Sequence, residues 1–545
     1  MRTPLNAGPS LDSLLDRYEE RTHLFRPDEA RELGLHQYDG HLAQIGRDAR
    51  RSRLLFLQEM MDGLGPNPVG LDARLFHQAL RSEVWRLSVQ RKDETDPMHA
   101  ADLVDPSCYL RWDYAPWEER ARALQTHLEQ IPAFLDAVRD ELEAELSAPA
   151  VNTALSVFKG LESFVRSGIL QAAHKEGPLP RGLESCCESA ADAVERHLQF
   201  LEKEAIPRAH QDFTMGTAGL EGMLREQEGL DLELDEVVRA GEDELNRNRS
   251  ELEELCREYS PQAKTKDVLG SIAKDVSWPM DLRRRGSLIL DELYEFVQER
   301  ELVSIPSDGR PQIDVTPPWM RWAIASLEDP GPFAPAQLRA WYYVTPPEES
   351  WSAARKQRWL AMFNDSSLRV ITGHEVMPGH FLHALHVRRA PSRASRLFAV
   401  CYHFWEGWAH YGEQLLAEES FREGDLKFAI NQRHAALERS GRLMCSVGLH
   451  SQSWSLAEAK RFLTGHCYVN EVMAQCEAER GCFDPQYLGY TLGKLLLIKL
   501  REDVRRIEKD RFSLKSFHDR VLSVGAPPIS LLREEVFGLR DRKLL

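Results

Sequence analysis

Residues 230–259 read LDLELDEVVRAGEDELNRNRSELEELCREY, and this stretch decides the fold class. Its apolar residues return at helical spacing while acidic and basic residues occupy the other face, which is typical of an amphipathic helix. Residues 123–146 and 190–205 show the same periodicity, although a proline interrupts the first of them. The sequence therefore predicts a mainly α-helical protein.

Two short segments predict strands instead of helices. QIDVT (312–316) and AWYYVT (340–345) are rich in β-branched and aromatic residues, and two prolines follow each segment. Pro- and Gly-containing stretches at 176–182 and 304–312 are typical of loops. We expect a large helical body with a small antiparallel β-sheet, close in sequence to the motif that carries the chemistry.

Composition and charge argue against several classes of protein. The 545 residues contain 69 Lys and Arg but 86 Asp and Glu, a net charge of −17, which disfavours binding to nucleic acid or to anionic lipid. The N-terminus has no apolar signal segment, and no stretch is long enough to span a membrane. The nine cysteines follow no metal-ligand spacing. We therefore expect reduced thiols in a cytoplasmic protein.

The candidate chemistry lies in residues 371–386, ITGHEVMPGHFLHALH. His374-Glu375 begins like the zinc-protease signature H-E-x-x-H, in which two histidines share a helix face and the Glu is the general base. Here the second histidine is displaced, so that the candidate ligands are His374 and His380, at i and i+6. A chance His-Glu pair on an ordinary polar helix is the alternative.

The spacing of the two histidines needs a physical explanation. At ~100° per residue, position i+6 lies ~240° around an undisturbed helix, so that the two imidazoles could not reach one ion. Pro378 lacks an N–H and clashes with the preceding turn, and Gly379 permits unusual backbone angles. We expect these two residues to distort the helix and to return His380 to the face of His374.

A second segment, FWEGWAHYGEQ (404–414), supplies carboxylates. A carboxylate commonly completes a zinc site, and Glu406 lies far enough after His380 for a returning helix. Glu413 lies nearly on the same helix face, so that one carboxylate can bind the metal while the other orients a ligand histidine. His410 also lies on that face and is a rival ligand. The flanking aromatic residues predict a buried helix, in which a carboxylate needs a partner.

At this point the sequence resembles a bacterial family, domain of unknown function 885 (DUF885). HEVMPGH and WEGWAHYGE match its pattern of H-E-x-x-P-G-H followed by E-G-W-A-x-Y-x-E. Further similarity covers 342–347, 441–455 and 487–494. The family is similar to helical zinc peptidases such as thimet oligopeptidase and angiotensin-converting enzyme, whose Glu ligand on a later helix supports Glu406.

The resemblance implies a two-lobed helical metallopeptidase-like architecture with the sheet beside an active-site cleft. An N-terminal helical lobe would span 1–229, and a catalytic helical lobe would span 230–545. Zinc would be the cofactor, and the substrate would be a peptide or a small amide. Zinc would lower the pKa of a water molecule, and Glu375 would accept its proton.

Further residues are predicted to contact the substrate. Tyr490 or His450 would donate a hydrogen bond to the oxyanion, and Arg442 would hold a substrate carboxylate unless it forms a structural ion pair. The strand AWYYVT (340–345) would pair with an extended substrate backbone.

Two departures from the family pattern keep other classes open. Ser446 and Val447 replace the usual Asp and Thr, and Asp484 and Pro485 replace the usual P-G before Gln486. One alternative is therefore a metal-binding helical protein with impaired catalysis. The other is a metallohydrolase that acts on non-peptide amides or esters with the same ligands.

Overall fold

The computed structural model describes residues 9–275, 282–307, 309–317, 320–321, 324–348, 351–398, 401–540 and 543–545. Over these residues the protein is mainly helical with a small sheet, as predicted. The chain divides into two compact units. The first comprises Met1–Asp212, Pro318–Trp322 and Pro330–Leu338, and the second Phe213–Pro317, Ala323–Asp329 and Arg339–Leu545.

The first unit has a helical core around the helix Trp117–Glu141 (α8). The apolar residues Leu124, Leu128 and Leu135 of α8 recur on one helix face and are fully buried, as an amphipathic pattern requires. Pro132 lies inside α8 without ending it. The helices of this unit are Leu11–Phe25 (α1), Pro27–Glu32 (α2), Arg47–Leu64 (α3), Leu71–Trp85 (α4), Lys92–Thr95 (α5), His99–Leu103 (α6), Cys108–Arg111 (α7), Trp117–Glu141 (α8), Ala148–Ser163 (α9), Ile169–Glu176 (α10), Leu183–Phe200 (α11) and Ile206–Arg208 (α12).

A buried ion pair lies in the first unit. Arg53 donates from Nε to Glu83 Oε1 at 2.6 Å and from Nη2 to Glu83 Oε2 at 2.9 Å. Tyr18 donates its hydroxyl to Glu83 Oε2 at 3.0 Å. Both oxygens of the Glu83 carboxylate therefore accept hydrogen bonds from the protein itself, which offsets the cost of burying the charge.

The second unit contains the long helices of the predicted catalytic region. The predicted amphipathic helix is observed as Leu234–Tyr259 (α14), which packs against Leu426–Ser451 (α22). Helix Tyr402–Glu418 (α21) packs against Gly489–Glu508 (α25). The helices are Gly216–Gln227 (α13), Leu234–Tyr259 (α14), Thr265–Lys274 (α15), Leu282–Glu299 (α16), Ala353–Ala361 (α17), Asp365–Glu375 (α18), His380–Arg389 (α19), Arg393–Leu397 (α20), Tyr402–Glu418 (α21), Leu426–Ser451 (α22), Leu456–His466 (α23), Glu471–Phe483 (α24), Gly489–Glu508 (α25), Leu514–Leu522 (α26) and Ile529–Leu531 (α27).

Helices α21 and α25 approach each other at two glycines. A Cβ added to Gly407 would lie 2.5 Å from the carbonyl carbon of Gly493, and a Cβ added to Gly493 would lie 1.8 Å from the carbonyl oxygen of His403. Neither position can accept a side chain without separating the backbones. The close crossing therefore depends on both glycines.

The sheet has three strands, Gln312–Val315 (β1), Ala325–Glu328 (β2) and Trp341–Val344 (β3), in the order β1-β3-β2. The two predicted strands are observed as β1 and β3. The antiparallel prediction is wrong, because β1 pairs with β3 in parallel and only β2 pairs with β3 antiparallel. A parallel pair needs a long connection, which the segment between β1 and β3 supplies. That segment contains β2, which was not predicted.

The central position of β3 corrects a second prediction. AWYYVT was expected to pair with a substrate backbone, but β3 is hydrogen-bonded on one side to β1 and on the other to β2. No edge of β3 is therefore free along the paired residues. The sheet also contacts α18, because the Tyr342 hydroxyl lies 3.0 Å from Thr372 Oγ1.

Two general features complete the fold. Within the described ranges, no helix has both the length and the apolar character that a membrane span requires. All nine cysteines are free thiols.

Candidate metal centre

The two histidines lie on either side of a break between helices. Helix α18 begins after Asn364, whose side chain accepts from the backbone N–H groups of Ser366 and Ser367, and it ends at Glu375. Helix α19 begins at His380. The predicted distortion is thus a complete interruption of the helix by four residues, 376–379, and it brings the two imidazole rings to a centroid distance of 4.7 Å.

Gly379 makes this interruption possible. A Cβ at this position would lie 1.7 Å from the carbonyl oxygen of His374, which no side chain can tolerate. The Gly379 N–H donates to the carbonyl of Gly373 at 2.9 Å, so that the chain folds back on the last turn of α18. The absence of a side chain therefore places His380 beside His374.

Glu406 of α21 completes a group of three potential ligands. Its Oε2 atom lies 3.4 Å from His374 Nε2 and 3.5 Å from His380 Nε2. The nearest ligand atoms of the three residues all lie within 4.8 Å of one another. Both histidines are buried, and Glu406 Oε2 is buried without a hydrogen-bond partner among the described residues. A buried carboxylate is stabilised by a positive charge beside it, which either a metal ion or protons on the two histidines can supply.

These atoms fit a zinc ion. Ligands at ~2.0–2.1 Å from a tetrahedral zinc are separated from one another by about 3.3 Å. The separations of 3.4 and 3.5 Å between Glu406 Oε2 and the imidazole nitrogens are close to that value, and all three ligand atoms lie within a wider limit of 4.8 Å. Two histidines and one glutamate are also a ligand set that catalytic zinc sites use.

Glu413 orients one ligand histidine. His374 Nδ1 lies 2.7 Å from Glu413 Oε1, and Arg439 Nη2 lies 2.9 Å from the same oxygen. Burial alone would raise the pKa of Glu413, but Arg439 and the hydrogen bonds from His374 and His410 lower it below its ordinary value. An ionised carboxylate only accepts, so that His374 carries its proton on Nδ1 and presents Nε2 as a ligand.

His410, the rival ligand, lies elsewhere. Its Nδ1 is 3.6 Å from Glu413 Oε2, and it is not part of the group formed by His374, His380 and Glu406. Burial, together with the charge of Lys494, lowers the pKa of His410 to about 3. His410 is therefore a neutral residue on the far side of the carboxylate that orients His374.

Glu375 lies beside the ligands and contacts the sheet. The backbone N–H of Leu327 in β2 donates to Glu375 Oε2 at 3.0 Å. Burial raises the pKa of Glu375, and the neighbouring Glu406 carboxylate raises it too, whereas the two histidines lower it. A carboxylate with a raised pKa is a better proton acceptor than an ordinary one.

Tyr490 lies next to the same histidine. Its ring is stacked beside that of His374, with a centroid distance of 6.1 Å and an interplanar angle of 19°. The guanidinium carbons of three arginines surround the Tyr490 ring: Arg442 at 5.1 Å, Arg480 at 5.7 Å and Arg439 at 5.9 Å. Burial and the nearby Glu406 carboxylate raise the pKa of Tyr490, so that its hydroxyl keeps its proton and can donate a hydrogen bond.

His450 and Arg442 form structural contacts. His450 Nε2 lies 2.7 Å from the Gly481 carbonyl, and its contacts among the described residues do not include the three ligands. Arg442 forms two hydrogen bonds with Glu477, both 2.8 Å long, and a third with Glu438 at 3.2 Å. The structural ion pair, which was the alternative for Arg442, is the arrangement observed.

The departures from the family pattern lie inside the protein. Ser446 and Val447 are fully buried in α22, and Ser446 Oγ donates to the Pro485 carbonyl at 2.7 Å. Ser446 therefore fastens α22 to the turn before α25. Sequence reasoning missed Arg439, although its spacing of three from Arg442 places both on one helix face, and it missed the N–H of Leu327, which no side-chain motif marks.

The chain belongs to the family described as bacterial protein of unknown function DUF885, whose model matches residues 27–536. No curated protein matches the chain. Among solved structures, the chain is similar to a protein from Shewanella oneidensis that is named as a lipoprotein of unknown function, with a TM-score of 0.77 and 19% identity over 96% of this chain and 99% of that one. A second, named as a lipoprotein from Colwellia psychrerythraea, has a TM-score of 0.80 and 17% identity over 97% of this chain and 98% of that one. At these identities the similarity shows the fold alone.

Proposed function

We propose that this DUF885 protein is a zinc-dependent hydrolase that cleaves peptide bonds. One observation carries the proposal: the buried, unpartnered Glu406 Oε2 faces the Nε2 atoms of His374 and His380 at 3.4 and 3.5 Å. Glu375, which follows the first of these ligands, lies beside the group without belonging to it. This combination of three ligands and an adjacent carboxylate is the arrangement that zinc peptidases use.

The residues of the chain have distinct roles in this proposal. A bound zinc ion would acidify a water molecule and polarise the substrate carbonyl. Glu375, held by the N–H of Leu327, removes the proton from the attacking water. Tyr490, beside His374, donates its hydroxyl proton in a hydrogen bond to the negative charge that develops on the carbonyl oxygen.

The edge strand β2 replaces β3 as the strand that pairs with substrate. Leu327 directs its N–H to Glu375 and away from β3, so that the backbone groups on this side of β2 face the candidate metal centre. An extended peptide placed along β2 would have its backbone next to Glu375. The similarity to thimet oligopeptidase, the two-lobed architecture and the cleft stay predictions.

The proposal is tested by metal analysis and a peptide library. We expect about one zinc ion per chain and hydrolysis of some library members. Glu375→Gln should keep the zinc and lower turnover by ~10²–10⁴-fold, since it removes the proton acceptor alone. Glu479→Gln, an exposed change of the same type on α24, is the control. A zinc-loaded protein that cleaves no peptide, or a Glu375→Gln variant with the parent rate, would contradict the proposal.

The alternatives have weaker support. A metal-binding protein without catalysis was suggested by Ser446 and Val447, but both side chains are buried in α22. Hydrolysis of non-peptide amides or esters would use the same residues, and an acyl-compound library separates it from peptide hydrolysis. The cytoplasmic location stays a prediction, which cell fractionation would test. The lipoprotein names belong to the two similar proteins.

A further inference from the structure

We propose that Arg480 of α24 binds a carboxylate of the substrate, so that the enzyme selects peptides with a negative charge close to the cleaved bond. The inference rests on the proposed function and adds a substrate class to it. Arg480 thereby takes the role that the sequence predicts for Arg442.

Arg480 is the least neutralised of the three arginines around Tyr490. Arg442 is bound by both oxygens of Glu477 and by Glu438, and its side chain is 13% exposed. Arg439 is bound to the buried Glu413, and its side chain is 15% exposed. Both guanidinium groups already have carboxylate partners in the protein interior, and neither is open to a substrate.

Arg480 has a different environment. Its Nε and Nη2 atoms both contact a single oxygen, Asp484 Oδ2, at 2.9 Å, and its side chain is 31% exposed. Asp484 lies four residues further along the chain and is itself 25% exposed. Ion pairs at accessible positions contribute little free energy. A substrate carboxylate can therefore share this guanidinium or displace Asp484 from it.

The surroundings of Arg480 connect it to the candidate metal centre. Arg480 Nη2 donates to the hydroxyl of Tyr402 at 3.3 Å, and Tyr402 lies one helical turn before Glu406 on α21. The rings of Tyr402 and Tyr490 meet edge to face at 6.0 Å. Arg480 thus contacts the residue that precedes a metal ligand by one turn and the residue proposed to stabilise the oxyanion.

The distances limit where the negative charge lies in the substrate. The Tyr490 ring is 6.1 Å from the ring of His374 and 5.7 Å from the guanidinium carbon of Arg480. Arg480 is therefore at most about 12 Å from a ligand histidine, which corresponds to three or four residues of extended chain. A C-terminal carboxylate or an Asp or Glu side chain within that distance would reach the guanidinium, whose planar donors match a carboxylate.

Matched peptides test the inference on the zinc-loaded full-length protein. A cleaved peptide with a free C-terminus is compared with its C-terminal amide, and with an amide that carries Asp or Glu within four residues of the cleaved bond. In the parent protein the peptides with a carboxylate should have the lower KM. Arg480→Gln should raise that KM by about 10- to 100-fold, and it should lower kcat/KM for the peptides with a carboxylate more than for the plain amide.

Two further variants separate a binding role from a structural one. Arg480→Lys keeps the charge and should restore part of the preference, while Arg461→Gln removes a 70% exposed arginine from α23 and should change nothing. The thermal midpoints of all variants are compared. Cleavage without a preference for carboxylates, or a preference that survives in Arg480→Gln, would overturn the inference and leave the hydrolase proposal intact.

Failure of the hydrolase proposal gives a different result. If no peptide is cleaved, calorimetric binding of the same acid and amide peptides measures the site directly. Tighter binding of the acid that disappears in Arg480→Gln would support the carboxylate site and reject hydrolysis. Equal or absent binding of acid and amide would reject the carboxylate site as well.

Discussion

Two buried glutamates of this protein have opposite surroundings. Glu83 in the first unit receives hydrogen bonds on both oxygens, from Arg53 and Tyr18. Glu406 in the second unit has an oxygen with no hydrogen-bond partner among the described residues, although two imidazole nitrogens lie near it. A carboxylate whose partners are all present holds the fold together, whereas one whose partner is missing marks a place for a ligand.

The largest effect is expected from Gly379→Ala, which should break the site while keeping every ligand. The new Cβ would collide with the His374 carbonyl, so that His380 has to move away from Glu406. Zinc affinity should fall by about 10³-fold, because one of three ligands contributes roughly a third of the ~10–16 kcal/mol of zinc-binding free energy. A chelator titration measures it.

Gly465→Ala is the control for this change, because a Cβ at Gly465 has no neighbour within 4 Å. Unchanged zinc affinity in Gly379→Ala would show that His380 is not a ligand.

The comparison itself is tested by the same substitution in both units, measured on the metal-free protein. Glu83→Gln leaves Arg53 as a buried charge without its partner and should cost about 3–5 kcal/mol of unfolding free energy. Glu406→Gln removes a carboxylate that faces two imidazoles without a hydrogen bond among the described residues, and it should cost less metal-free stability than Glu83→Gln. Urea unfolding followed by hydrogen exchange reports on each unit separately. Equal losses in the two variants would refute the distinction.

Glu413→Gln should have a smaller effect, because it alters the group that orients a ligand and keeps the ligand itself. The amide can still accept from His374 Nδ1, but the charge that Arg439 stabilises is lost. Zinc affinity should fall ~10–100-fold. The measurement is the chelator titration used for Gly379→Ala, and a loss as large as that of Glu406→Gln would make Glu413 a ligand.

The smallest effect concerns two histidines of the first unit. His127 contacts the Tyr109 hydroxyl at 3.2 Å and the Val104 carbonyl at 3.1 Å, whereas neither nitrogen of the buried His197 has a hydrogen-bond partner among the described residues. Burial lowers the pKa of each to about 3. The unfolded chain, with an ordinary histidine pKa, therefore binds protons that the folded chain does not, and stability falls as the pH drops from ~6.5 towards 3.

His197→Leu should remove its share of this loss, about 1.4 kcal/mol at pH 5.5. His127→Leu should lower stability near pH 7, because it leaves the Val104 carbonyl without its partner. Urea midpoints between pH 7 and 4.5 measure both variants, and a His197→Leu profile with the parent slope would contradict the expectation.

The local sequence pattern was sufficient to predict a mainly helical fold and two of the three strands. The amphipathic period of 230–259 and the aromatic run of β3 depend on residues that are neighbours in sequence. The strand order was not predictable in the same way, because β2 has the sequence ASLE, without β-branched or aromatic residues, and its pairing depends on distant partners.

In the candidate site, too, partners that are distant in sequence could not be predicted from local pattern. His374, His380 and Glu406 were selected from motifs, and the structure brings their ligand atoms together. The partners of the arginines could not be read from motifs, because Glu477 lies 35 residues after Arg442 and Glu413 precedes Arg439 on another helix. Such long-range ion pairs decide whether an arginine can bind a substrate. For this reason we propose Arg480, and no longer Arg442, as the residue that binds the substrate carboxylate.

The glycine crossing of α21 and α25 has a consequence for how this protein can change during evolution. Helix α21 carries Glu406 and α25 carries Tyr490, and backbone contact at Gly407 and Gly493 sets the separation of the two helices without any side chain between them. Drift in the surrounding core can therefore alter side-chain sizes without changing the distance between the proposed ligand and the proposed oxyanion donor. A lineage that lost either glycine would have to move both helices together, so that these two positions constrain the ligand and the donor jointly.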